Sequence, residues 1–276
     1  MTNCNRALAI SVFALLSGAV LSAQPRTKLK AETVVAFDGY VAIVEETLQA
    51  RLDGDASKFL AISENSGWRT SLRDGLVNPE FIEKSLEVPG GLIQDWTATM
   101  FAPNASGEDV IALLTDYDHH SDIYDEVIAG QVISRTGSKI RSKLRLRKHK
   151  VITIVLDTEH EIEVIKAGEG RWQLHSHSTR INQVQNVGKS NEMLLPEGED
   201  TGFLWRMNAY WSIQEVDGGV YVECRSTTLT RGIPFGLGWL IDRFTLAVPR
   251  ESLVATLEAT RNELAKRADR FSEPND

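Results

Sequence analysis

The sequence predicts an α+β fold, a curved antiparallel sheet wrapped around a long C-terminal helix, with a helical N-terminal extension. Three observations carry it. Apolar and polar residues alternate with a period of two through most of the stretch from Gly91 to Thr230. Asp217-Gly218 separates two such stretches as a two-residue turn. Trp239 to Arg267 then reads as a helix interrupted once, at Pro249, after a short linker. A sheet that ends in this order closes over its last helix and leaves a concave space between them, which is a binding arrangement.

The chain has 276 residues and a formal net charge of −8. Residues 1–23 hold one cation, Arg6, then an apolar run from Ala7 to Val20, then small residues before Gln24-Pro25. This pattern reads as a secretory leader cleaved after Ala23, and it implies a periplasmic or secreted product. An uncleaved N-terminal anchor is the competing account. Cys4 follows no small-residue lipid-attachment sequence. Without the leader, 29 basic face 38 acidic residues, a net of −9. An acidic surface is poorly suited to nucleic acid. No later window approaches the roughly 20 apolar residues of a membrane span, so no stable membrane insertion is expected after leader removal. Cys224 is the one cysteine left, which excludes an internal disulfide and leaves packing to hold the fold.

Residues 24–90 form the predicted helical extension. Val34, Phe37, Val41, Val44 and Leu48 recur at near-helical spacing between Glu32 and Ala50. Shorter helices are expected over Ala56–Glu64 and over Asn78–Leu86, the latter opened by Asn78-Pro79. The main domain spans residues 91–270, with a disordered tail at 271–276. Its first strand runs from Gly91 to Pro103. Ser106-Gly-Glu-Asp109 opens a helix with acids in its first turn, and a second short helix covers Asp118–Tyr124. Six strands follow: Val127–Ser134, Lys139–Arg147, Val151–Lys166, Arg171–Val184, Leu204–Gln214 and Val220–Thr230.

Facing pairs assign the faces. With Lys148-His-Lys150 as a tip, Leu146 faces Ile152, Leu144 faces Ile154 and Ser142 faces Leu156, while Arg145, Lys143 and Arg141 line the opposite, solvated side. With Asp217-Gly218 as a turn, Ile213 faces Val222, Trp211 faces Cys224 and Met207 faces Thr228. The inner face then holds Trp205, Met207, Ala209, Trp211, Val222, Cys224 and Thr228, and the outer face holds Arg206, Asn208, Tyr210, Glu223 and Arg225.

The order of one strand, two short helices, six strands and a long last helix resembles the helix-grip fold of the START-like (SRPBCC) superfamily, which includes Bet v 1-like proteins and polyketide cyclases. The segments Asp95-Trp-Thr-Ala-Thr-Met-Phe-Ala-Pro103, Asp116-Tyr-Asp-His-His-Ser-Asp-Ile-Tyr124, Phe203-Leu-Trp-Arg206, Gly218-Gly-Val-Tyr-Val-Glu-Cys224 and Gly236-Leu-Gly-Trp-Leu-Ile241 are similar, more narrowly, to a secreted bacterial START-like group. The resemblance covers Gly91 to Arg267. It implies an elongated apolar cavity that binds lipids or other hydrophobic molecules, with a minority of members acting as cyclases or dehydratases.

The expected ligand wall is Trp96, Met100, Ile154, Leu156, His160, Trp205, Met207, Trp211, Val222, Cys224 and Thr228, closed by Leu253 and Leu257 from the last helix, with Thr260 and Leu264 on the same stripe. Ordinary core packing is the competing account for each. His160 is the histidine placed inside, a weak candidate for acid–base work in a cyclase- or hydratase-type enzyme. A structural histidine is the alternative. His175 and His177 face outward opposite Glu161 and Glu159. A one-residue slip would gather three histidines, but only by burying Arg171 and Gln173, so no metal is expected. Asp116, Asp118, His119, His120 and Asp122 read as helix caps facing water rather than a cation site. No nucleophile elbow and no phosphate loop is present, so no cofactor is expected. Pro249 is expected to start the main helix or kink it. Ile233 to Gly238 reads either as a gate or as a packed connection. The leading expectation is a noncatalytic carrier of a hydrophobic small molecule. A structural partner-binding protein with a filled cavity is a third reading.

Overall fold

A computed structural model describes residues 26–62, 67–81, 85–149, 153–232 and 238–272, with side chains at all of these except 80–81, 238–248 and 271–272. The leader at 1–23, the linker from Ile233 to Leu237 and the last four residues of the tail lie outside the described residues.

The elements follow in chain order. Strand β1 (Thr27–Lys28) precedes helix α1 (Ala31–Asp53), a single turn at Ala56–Lys58 and α2 (Trp68–Arg73). Then come β2 (Asn78–Phe81), β3 (Leu86–Val88), β4 (Gly91–Pro103), α3 (Gly107–Leu114), a turn at Tyr117–His119 and α4 (His120–Ile123). β5 (Val127–Thr136), β6 (Lys139–His149), β7 (Thr153–Gly168) and β8 (Arg171–Gln185) are followed by the short β9 (Met193–Leu194) and β10 (Glu199–Asp200). β11 (Arg206–Val216), β12 (Gly219–Arg231) and α5 (Gly238–Ser272) complete the chain. The main sheet runs β2-β4-β12-β11-β8-β7-β6-β5, all antiparallel, with β3 also on β4 and β9 also on β8. This is the predicted α+β helix grip.

The last hairpin has the predicted register: Ile213 pairs Val222, Trp211 pairs Cys224 and Met207 pairs Thr228. Gly218 has φ +81, the left-handed conformation such a turn needs. The β6–β7 hairpin differs. Leu146 pairs Leu156, Leu144 pairs Thr158 and Ser142 pairs His160, so every partner lies four residues beyond the expected one. The strand continues through Lys148 and His149, and the reversal comes after them. An even shift leaves each side chain on its expected face.

Two helix expectations fail. Asn78–Phe81 and Leu86–Val88 are strands paired to β4, and within the described part of the second, residues 56–62, helical structure is limited to one turn at Ala56–Lys58. The Asn-Pro start signal loses to the unpaired edge of β4, which supplies backbone partners to the preceding chain. Helix α3 starts as expected, with Ser106 and Asp109 bonded reciprocally at its N-terminus. Helix α5 runs through Pro249, which does not begin it.

Both faces of the sheet are covered over β4, β12 and β11. On the inner side, Leu253, Leu257 and Leu264 of α5 and Val110, Leu113 and Leu114 of α3 pack on Trp96, Met100, Trp211, Val222 and Cys224. On the outer side α1 places Phe37 against Ile93, Trp205 and Leu229, and Val44 and Leu48 against Tyr210. Phe59, Leu60, Ile62 and Leu72 cover Phe101 and Tyr221. At about 1.5–3 kcal/mol per fully buried large apolar side chain, hydrophobic burial contributes strongly to holding the N-terminal segment on the sheet.

Candidate functional site

The inner face divides into two apolar clusters. The first is the main core just described. The second gathers Ile154 and Leu156 of β7 with Ile181 of β8, rimmed by half-buried Leu146, Phe203, Leu204 and Met207. Of the expected wall, Trp96, Met100, Trp211, Val222, Cys224, Leu253 and Leu257 belong to the first cluster, and Ile154, Leu156 and Met207 to the second. Thr228, paired to Met207 on the same face, is buried and its hydroxyl has no hydrogen-bond partner. Cys224 is fully enclosed, and burial pushes its thiol pKa up, so it behaves as a packing residue.

Trp205 is the exception. It lies in the cluster beneath α1, with its indole nitrogen donating to Asp200 at 3.1 Å. Regular pairing on β11 starts at Arg206, so the alternation that carries Met207, Ala209 and Trp211 inward does not extend back to it.

Between the two clusters lies a buried polar strip that the sequence reading did not single out, apart from His160. His160 Nε2 meets Thr158 Oγ1 at 3.0 Å and Nδ1 meets Ser176 Oγ at 3.4 Å. Desolvation lowers the imidazole pKa to about 4, with His177 adding to the effect, so the ring is neutral near pH 7. Ser142 and Ser178 flank His160 on the neighbouring strands, and the Tyr117 hydroxyl lies beside Ser142 and Ser176. The signal available in the sequence was the run of hydroxyl residues at inward positions of three adjacent strands. Nearer α5, Tyr124 bonds Thr260 at 3.0 Å, and burial pushes its pKa up to about 12.

The Asp116–Asp122 segment splits. Asp116 holds His119 at 2.7 Å, and Asp118 accepts the Val132 amide at 2.9 Å. His120 does not face water as expected. It is buried between Tyr117 and Tyr124, with ring centroids 4.6 and 5.0 Å away, and burial lowers its pKa to about 4. Two aromatic neighbours outcompete solvent for a neutral imidazole.

His175 and His177 stand on the outer face opposite Glu163 and Glu161, two residues from the expected partners. They are half-buried rather than fully solvated. Glu45 of α1 reaches His177 at 2.8 Å and accepts from the Tyr210 hydroxyl at 3.1 Å. Next to them Asp95 takes two bonds of 3.0 Å from Arg225 and one of 2.8 Å from Tyr40, while Glu223 binds Arg51 at 2.8 Å.

The chain's geometry is similar to several solved structures. A STAR-related lipid transfer protein fragment from Xanthomonas axonopodis is 16% identical, with 68% of this chain and 98% of that one covered and a TM-score of 0.48. Human STARD10 is 11% identical over 80% of this chain and 89% of its own, with a TM-score of 0.43. The aromatase/cyclase Zhui from a Streptomyces strain is 13% identical over 66% and 97%, with a TM-score of 0.41. The strand order and the long last helix are those of a helix grip. No family model and no curated protein matches the sequence. The elements before β4 are laid on the outer face of the sheet and along the β4 edge.

Proposed function

We propose that the protein binds and carries a hydrophobic, lipid-like small molecule between the inner face of the sheet and α5, without catalysing a reaction. The observation that carries this reading is the second apolar cluster. Ile154, Leu156 and Ile181 form a surface separate from the main core, rimmed by four half-buried apolar side chains. Concave apolar walls of this kind are where hydrophobic ligands are held. The leader read in residues 1–23 makes the periplasm or the cell exterior the working compartment, and a mature chain starting at Gln24 in that fraction is the check.

The competing reading is a cyclase- or hydratase-type enzyme built on His160. Its neutral ring is engaged at both nitrogens by hydroxyls, which favours a positioning or structural role. Mass spectrometry of an organic extract of protein purified without delipidation separates the readings. Carriage expects one intact amphiphile near stoichiometric amount, and less of it in Met207→Glu. Catalysis expects a substrate and product pair. An extract empty of both, together with no uptake of long-chain probes, would sink the carriage reading.

A further inference from the structure

The inner face of β6 to β8 changes chemistry twice along its length. On β7, Ile154 and Leu156 belong to the second cluster, Thr158 and His160 follow, and Ile162 returns to the main core. β8 shows the same order in reverse, from Trp172 and Leu174 through Ser176 and Ser178 to Ile181. The polar positions lie side by side: Ser142 pairs His160, and His160 pairs Ser178.

Packing alone does not account for this strip. An unsatisfied buried hydroxyl costs about 1–3 kcal/mol. Ser142 is fully buried, and its Oγ has no hydrogen bond of sound geometry although the Tyr117 hydroxyl lies beside it. A buried polar atom in that state is open to a further partner, a water or a group of a bound ligand.

We infer that Ser142, Ser176 and Tyr117 recognise a neutral hydrogen-bonding group, a hydroxyl or a ketone, set within the length of an elongated hydrophobic ligand. This rests on the carriage reading above and narrows the ligand class. The flanking clusters place apolar segments of the ligand on both sides of the polar group. The strip contains no cation, and an ion taken from water without a partner costs several kcal/mol. Lys148, on the inner side of β6, is already held by Glu126 and Ser252. A carboxylate or phosphate therefore has no place on this strip.

Four matched probes test it: a long-chain methyl ester with a mid-chain hydroxyl, the same ester with a mid-chain ketone, the plain ester and the free acid. Binding is followed through inner-face tryptophan fluorescence. The hydroxyl and ketone esters are expected to bind roughly tenfold tighter than the plain ester, the size of one net hydrogen bond. Ser142→Ala is expected to erase most of that preference and leave the plain ester's affinity unchanged. Its melting temperature should stay the same or rise, because no protein hydrogen bond of sound geometry is lost with the deleted hydroxyl. Equal affinity for the hydroxyl and plain esters, or a preference that survives Ser142→Ala, overturns the recognition and leaves carriage standing. Tighter binding of the free acid than of the hydroxyl ester, or a fall of several degrees in melting temperature, also overturns it. If none of the four probes binds, carriage itself fails and takes this inference with it.

Discussion

The two faces of the sheet bury polar groups in opposite ways. Along β12, Glu223, Arg225 and Thr227 point outward and Val222, Cys224 and Thr228 inward, and all six are buried. Outward, acidic side chains meet basic ones: Asp95 bonds Arg225, Glu223 bonds Arg51, and Glu45 lies 2.8 Å from His177. Inward, apart from the Lys148–Glu126 pair, the polar groups are neutral, and among the described residues the Ser142 and Thr228 hydroxyls have no hydrogen bond of sound geometry. The outer pairs hold α1 on the sheet, and on that face Thr97 Oγ1 and Gln173 Nε2 are buried polar atoms without a sound hydrogen bond among the described residues. An open set of neutral hydroxyls leaves capacity for something else to bind. Polarity by itself therefore does not mark a site; the balance of partners does.

Breaking the outer network should have the largest effect. Asp95→Ala leaves the buried Arg225 guanidinium without its carboxylate, and a loss of about 3–5 kcal/mol is expected in urea unfolding. A loss below about 1 kcal/mol would erase the contrast between the faces.

Acid should act next, and on the inner side. Unfolded histidines take protons near pH 6.5, whereas folded His160 and His120 take them only near pH 4. The unfolded state thus binds more protons across that window, and stability falls as pH drops from about 6.5 to 4. Each ring contributes on the order of 3 kcal/mol at the acid end. Melting temperature against pH should show the slope, and His160→Gln should flatten part of it. An unchanged slope in that variant would remove His160 from the account.

Gly107→Ala probes how tightly the inner face is closed at the α3 end. A Cβ there would sit 2.1 Å from the Trp172 ring, so a cost of about 1–3 kcal/mol and a shift in tryptophan emission are expected. The smallest effect belongs to Tyr210→Phe. It removes the hydroxyl bonded to Glu45 and Asn208, should cost about 1 kcal/mol, and should speed amide exchange in α1 while leaving β7 unchanged. Equal acceleration in both would mean that the outer network is not local to α1.

The last hairpin was legible to the residue because a two-residue turn admits one register. The β6–β7 hairpin was legible only by face, since Lys148 and His149 resemble part of a tip but remain in the strand. The strands at Asn78–Phe81 and Leu86–Val88 were not legible. Their partner, β4, comes later in the chain, and only tertiary pairing rewards an extended backbone there. Of the strand residues assigned to the inner side, Trp205 is the one the structure places on the outer side, where strand pairing has not yet begun. The outer charges were identified but counted as solvated, because alternation reports a side and not what covers it. His120 and the serines of the strip were missed because their environment is assembled from distant elements.

The placement of β2 and β3 has a further consequence, for association. A bare strand as long as β4 is a template on which another copy can add its own strand. Here the two preceding segments pair along β4, and at the opposite margin β5 is interrupted by two irregularities, between Val127 and Ala129 and between Val132 and Ser134. Both margins of the sheet are thus spoiled for strand exchange. The segment before Gly91 protects the protein from self-templating aggregation, and a chain shortened to begin there would lose that guard.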